Sequence, residues 1–209
     1  MKSIFEKIAM AFYVAFKRIE RKAEWLDYQQ LRKQFKNIGS TSIFPFMDYE
    51  VLGPQYIEIG DGCGFGRRLR LCVCDKYVNQ TFSPRISIGN GVHIGNDCHI
   101  GCINSIKIGN GVLMASRITI LDHLHGYINE SDLFTPPSKR PLSSKPVVIG
   151  NDVWIGEGVA IMPGVTLGDN VIVGANAVVT HSFPDNVVIA GVPAKIIKVL
   201  DSDDNKRIG

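Results

Sequence analysis

From Ile149 onward an aliphatic residue recurs at every sixth position: Ile149, Ile155, Ile161, Leu167, Val173 and Val179. Glycine follows most of them, in Ile149-Gly150, Ile155-Gly156, Leu167-Gly168 and Val173-Gly174. Four places after each of the first five stands another small or β-branched residue: Val153, Val159, Val165, Val171 and Ala177. Neither a helix nor a strand alternating along a whole segment has a strict period of six. A solenoid of short parallel strands joined by tight corners does, with aliphatic side chains stacked coil over coil and Gly or Asn supplying the corner conformations.

The same phase runs earlier, through Ile88-Gly89, Ile94-Gly95 and Ile100-Gly101, then Ile108-Gly109, Met114-Ala115 and Ile120, with a weaker copy at Ile59-Gly60, Phe65-Gly66 and Leu71. Grouped in threes, the hexapeptides form five triplets, and each triplet predicts one triangular coil of an all-β parallel β-helix. The register breaks between Leu71 and Ile88, between Ile100 and Ile108, and between Ile120 and Ile149. An insertion that preserves the stack must leave at a corner, and the longest, with about twenty-three extra residues, marks a functional loop.

Ahead of the repeats Ile4, Phe5, Ile8, Phe12, Phe16 and Ile19 recur at helical spacing among Lys7, Lys17, Arg18, Arg21 and Lys22. Residues 1–36 hold nine Lys or Arg against four Asp or Glu. This reads as a helix capping the open end of the solenoid, with a peripheral membrane contact as the alternative. The expected organisation is a helical cap over 1–50, the β-helix over 51–200 with its loop insertion at 122–146, and a tail over 201–209. Lys195-Ile196-Ile197-Lys198-Val199-Leu200 is expected to form a closing turn or strand.

Composition narrows the function. With 45% hydrophobic residues the chain can bury a core, and a net charge of +3 is too mild for a nucleic-acid binder. Lys7, Lys17 and Arg18 interrupt every apolar run at the N-terminus, so a cytoplasmic protein is expected. Cys63 and Cys98 fall at small inward positions and read as reduced core thiols, while Cys72-Val-Cys74 has no second pair to complete a zinc site, so no metal is expected.

Two of the five histidines stand in Asp122-His123-Leu124-His125-Gly126, where the longest insertion leaves the repeat. This segment, with Pro141-Leu142-Ser143-Ser144-Lys145-Pro146 and Ile149-Gly150-Asn151-Asp152-Val153-Trp154-Ile155-Gly156 behind it, resembles the sugar O-acetyltransferase branch of the hexapeptide-repeat acyltransferases. The resemblance spans roughly residues 50–200. It implies a left-handed coil, a homotrimer with active sites between subunits, acetyl-CoA as acyl donor, and a small-molecule or lipid-linked saccharide as acceptor.

By that resemblance His123 is the general base that deprotonates the acceptor hydroxyl, the role that histidine fills at neutral pH. Asn96, Asp122 and His125 are expected on the acceptor side. Asp122 is not expected to orient His123, because neighbouring strand residues point apart. Trp154, Ala175, Thr180, Lys195 and Lys198 are expected along the acetyl-CoA arm, with the two lysines near its phosphates. Glu157 departs from the small polar residue of some relatives, and His93 and His99 read as surface residues of the repeat. Transfer to a sugar amine and a γ-type carbonic anhydrase, which uses three histidines on zinc, stay open as alternatives.

Overall fold

The computed structural model describes residues 3–44, 48–127 and 129–200, and the expected tail over 201–209 lies outside them. The chain is mostly β with one N-terminal helix, and its strands form three parallel sheets. Sheet 1 takes Ile57–Ile59, Arg85–Ile88, Ser105–Ile108, Val147–Ile149 and Thr166–Leu167. Sheet 2 takes Gly64–Phe65, His93–Ile94, Leu113–Met114, Trp154–Ile155 and Ile172–Val173. Sheet 3 takes Leu69–Val73, His99–Cys102, Thr119–Leu121, Ala160–Ile161 and Val178–Val179. The chain visits the sheets in that order five times, which makes the five coils read from the repeat.

Strands stack in register, so identical positions form columns through the core. Ile59, Ile88, Ile108, Ile149 and Leu167 make one such column and are buried throughout. Each fully buried side chain of this kind contributes about 2 kcal/mol, an upper figure because the unfolded chain already hides some surface. The corners are held by a second column. Asn90, Asn110, Asn151, Asp169 and Asp185 each accept, through a side-chain oxygen, the backbone N–H of the corresponding corner one coil earlier, at 2.6–2.9 Å. These bonds satisfy amides that a tight corner leaves without a strand partner.

The ends depart from the sequence reading. Asn37–Ile38, the bridge at Ile43 and Tyr49–Leu52 add a rung ahead of the first coil, one strand or bridge to each sheet, where a helical cap over 1–50 was expected. The helix α1 spans Ile4–Arg32 and opens with a reciprocal capping box between Ser3 and Glu6. Its only buried described residue is Tyr28, whose hydroxyl donates to the Ser42 carbonyl at 2.6 Å. Tyr28, Leu31, Phe35 and Phe44 cover the open end, with Phe44 stacked on Phe65 at a 4.4 Å centroid distance. Capping thus falls to the last turns of α1 and the segment after it, because those are the apolar groups that reach the first coil. At the other end Val187–Gly191 joins sheet 2 and pairs with Ala194–Val199 in an antiparallel hairpin, the closing strand expected there. All five cysteines are free, with Cys63 and Cys98 buried.

Close stacking makes some glycines obligatory. A Cβ on Gly95 would lie 2.6 Å from the Ala115 carbonyl carbon and oxygen in the next coil, whereas one on Gly91, at φ +64°, would meet nothing within 4 Å. Gly91→Ala should therefore cost only the left-handed backbone penalty of roughly 1–2 kcal/mol. Gly95→Ala must push two rungs apart and should lower the melting temperature further. Thermal unfolding of both variants checks this, and equal losses would mean that the rung spacing is not what the glycine protects.

Candidate active site

All three breaks in the repeat fall at the corner between sheets 3 and 1, in three consecutive coils. The first forms the hairpin Lys76–Tyr77 and Gln80–Thr81. The second is the short turn at Ile103 and Asn104. The third leaves after Leu121 and returns at Val147, and it starts with the antiparallel pair His123–His125 and Leu142–Ser144. The insertions hold one another: Gln80 exchanges two hydrogen bonds with the Leu142 backbone at 2.6 and 3.0 Å, and the Tyr77 hydroxyl donates to the Ser138 carbonyl at 2.8 Å.

At their meeting point lies Asp122, fully buried. Its carboxylate accepts the backbone N–H of Ile103 at 3.0 and 3.2 Å and of Asn104 at 2.7 Å, the two residues of the short insertion. It also meets His123 Nδ1 at 2.9 Å. The chain bends at Asp122 between two strands, so the strict alternation of strand side chains does not apply and neighbours converge. This corrects two expectations. Asp122 orients His123, and being fully buried it is no acceptor-contacting residue. Burial pushes the Asp122 carboxyl up, but hydrogen bonds from His123, Ile103, Asn104 and Cys102 outweigh it and hold the group below its ordinary value. The ionised carboxylate can only accept, so Nδ1 of His123 carries the proton and Nε2 is the basic nitrogen.

His123 has a side chain 19% exposed and folds back over the neighbouring coil. Gly101 makes room for it: a Cβ there would lie 3.4 Å from His123 Cε1, 3.5 Å from His99 Nε2 and 2.7 Å from Leu121 Cδ2. His99 is thus a half-buried neighbour of His123 rather than a bland surface residue of the repeat. Burial, reinforced by the charge of Arg70, lowers its pKa and favours the neutral ring. The spacing of the repeat took His99 for a surface residue and did not single out Asn104 or Ser144. For these two the signal lay in the phase of the breaks, which places both at one corner. Asn104 Nδ2 donates to Ser144 Oγ at 3.2 Å, and Ser144 pairs opposite His123.

The remaining expected residues scatter. His125 is exposed, its Nδ1 3.3 Å from the Tyr77 hydroxyl, and with Asn129, Glu130, Asp132, Leu133 and Arg140 it lines an open pocket of about 530 Å³. Asn96 sits at the corner between sheets 2 and 3, where its side-chain oxygen accepts the Arg67 N–H at 2.7 Å. Through that bond Asn96 continues a corner ladder with Ser116 and Glu157. Trp154 is 52% exposed on the outer face of sheet 2, in a row with Leu113, Ile172, Val188 and Lys198. Three strand spacings, about 14 Å, separate Trp154 from Lys198 in that row. Ala175 lies exposed at the corner between sheets 2 and 3, Lys195 is exposed on the closing strand, and Thr180 follows the last strand of sheet 3. One chain therefore carries His123 and the Trp154 row on different faces. Among the described residues no three His, Cys, Asp or Glu side chains group to hold a metal ion.

A family model described as bacterial transferase hexapeptide (six repeats) matches residues 146–181. The Escherichia coli (strain K12) protein named as a lipopolysaccharide biosynthesis O-acetyl transferase, WbbJ, is 48% identical over 68% of this chain and 71% of its own length. That extent of identity decides the matter. The chain belongs to the hexapeptide-repeat acetyltransferase family. Among solved structures, a galactoside acetyltransferase in complex with coenzyme A aligns with a TM-score of 0.60 at 26% identity, covering 85% of this chain and 72% of the other. A maltose O-acetyltransferase from Clostridium difficile 630 aligns at 0.56 and 27% identity, covering 82% and 73%.

In this acetyltransferase the lowered pKa of Asp122 has a defined consequence for stability. The unfolded carboxyl binds its proton at higher pH than the folded one, so the stabilisation is present above the ordinary Asp range and disappears as pH falls through the folded value. Asp122→Asn puts an NH₂ group among N–H donors and should cost about 1–3 kcal/mol at pH 7. Denaturant unfolding should find that deficit shrinking on acidification. A deficit that stays constant down to pH 3 would rule out the ionised carboxylate as its source.

Proposed function

We propose that the protein is an O-acetyltransferase that moves the acetyl group of acetyl-CoA to a hydroxyl of a saccharide, with His123 as general base. The observation that carries the reading is the Asp122–His123 pair, one partner buried and ionised, set over Gly101 where three insertions converge. The names of the relatives support the acceptor class, and WbbJ favours a sugar of surface polysaccharide.

In this mechanism His123 Nε2 takes the hydroxyl proton as the acceptor oxygen attacks the thioester carbonyl. Buried Asp122 stabilises the imidazolium that forms and keeps the ring in its tautomer. When the tetrahedral adduct collapses, the C–S bond breaks and the leaving thiolate recovers the proton from His123. No acyl-enzyme is formed. Acetyl-CoA is a substrate here, and the exposed Trp154 row suits its apolar arm, with Ala175 offering a corner without bulk and Thr180 a hydroxyl. Lys195 and Lys198, exposed on the closing strand, supply the charge its phosphates need.

Because His123 and Trp154 lie on different faces of one chain, the reading needs a second subunit to bring them together. A left-handed coil assembled as a cyclic trimer does this, with sheet 2 of one copy facing the His123 corner of the next. Leu113, Trp154 and Ile172 supply an apolar outer row for such packing. A cytoplasmic setting follows from the donor, which is made and consumed there.

Release of CoA thiol from acetyl-CoA should be followed across a panel of sugars and nucleotide sugars. With a competent acceptor, His123→Ala should lose two to four orders of magnitude in turnover while CoA affinity changes little. An undiminished rate would move the base elsewhere, to His125 first. Light scattering should return the mass of three chains, and a monomer at micromolar concentration would leave the site without its second half.

A further inference from the structure

The helix α1 presents an apolar face that nothing in the chain covers. On a wheel of 3.6 residues per turn, Ile4, Phe5, Ile8, Phe12, Phe16 and Ile19 fall within an arc of about 120°. Each is exposed, from 51% at Ile8 to 79% at Ile4. The opposite side of α1 is the one turned to the solenoid: Tyr13, Lys17, Arg21 and Glu24 line a cleft with Asp48 and Arg67, whose edges Arg18 and Glu20 also reach, and Tyr28 is buried. The apolar arc therefore points away from the body of the molecule, and it has no role in capping.

Charge is sorted along the two rims of this arc. One rim carries Lys22, Arg18 and Lys7 with no acid among them; the other carries Asp27 and Glu20. These acids are used internally: Asp27 accepts from the Tyr49 hydroxyl at 2.9 Å and Glu20 pairs with Lys17. Among the described residues Lys7 and Arg18 enter no ion pair, so their charge is available to an outside partner. Lys22 lies 4.3 Å over the ring of Trp25, an amphipathic pair at the edge of the arc.

We propose that α1 lies in the headgroup region of an anionic lipid bilayer, with the apolar arc inserted and the Lys22–Arg18–Lys7 rim on the phosphates. No described helix is long and apolar enough to cross a membrane, and an in-plane helix needs no such length. A second copy of α1 is the rival occupant. A helix–helix seam of seven-residue period can run Phe5, Ala9, Phe12, Phe16, Ile19, Ala23 and Leu26, which is apolar but leaves Ile4 and Ile8 outside it and makes no use of the basic rim. The width of the arc, its phenylalanines and the one-sided basic rim suit a lipid surface better. The docking does not rest on the identity of the acceptor. For a lipid-linked saccharide it would hold the enzyme on the surface that carries the substrate.

The test is co-sedimentation of the full chain with vesicles of phosphatidylcholine alone or with 30% phosphatidylglycerol, at low and high salt. Binding should require the anionic lipid and weaken with salt. Arg18→Glu with Lys22→Glu should reduce it at least tenfold, and Phe12→Glu with Phe16→Glu should abolish it, while circular dichroism and acetyl transfer to a soluble acceptor stay as in the wild type. Absence of binding, or equal binding to both vesicles, would overturn the proposal. So would a lipid-free protein whose mass by light scattering falls in the phenylalanine variant, because the arc would then be occupied by another copy.

Discussion

In-register stacking of parallel rungs is the constraint from which the rest of this structure follows. Each coil repeats the backbone of the one before at the spacing of a β-ladder, so a side chain at any position sits over its equivalent. Inward positions must then be apolar, corner positions must carry a side chain able to reach the amide of the coil before, and some glycines admit no Cβ. Additional residues cannot be absorbed within a rung. They are expelled at a corner, and here three consecutive coils expel theirs at the same one.

That coincidence builds the site. A rigid stack supplies Gly101 and His99 at fixed places, while the insertions supply what a repeat cannot: a bend that lets two adjacent residues converge, and two spare amides to bind a buried carboxylate. The negative charge of Asp122 is affordable only because Ile103, Asn104 and His123 all donate to it. Its ionised state in turn decides which nitrogen of His123 is basic. Preorganisation here is therefore a property of backbone amides on the short insertion as much as of the two side chains.

The architecture was legible in the sequence because a six-residue period encodes it directly: the five coils and the place of His123 follow from the register, and the closing strand from the prolines and glycine that end it. The rung at Asn37–Leu52 was illegible because its contacts come from Ile38, Ile43 and Val51, which do not keep the period. The relation of Asp122 to His123 was misread by applying strand alternation across a bend. The place of Asn96 in a corner ladder was illegible because a corner asparagine and a ligand-contacting asparagine look alike until the Arg67 amide is seen on its oxygen. The helix pattern identified an amphipathic helix correctly, but periodicity gives an apolar face and not the direction it points. Only the packing of Tyr28 and the cleft beside Asp48 and Arg67 fixes that.

The central claim is that buried, ionised Asp122 locks His123 with its proton on Nδ1 and its lone pair on Nε2. Long-range proton–nitrogen correlation spectra of ¹⁵N-histidine-labelled protein, with His123 assigned by substitution, read the tautomer directly. The expected result for the neutral ring is a single Nδ1–H form in the wild type and a mixture of tautomers in Asp122→Asn. A wild-type ring protonated on Nε2, or a mixture insensitive to Asp122, would contradict the account.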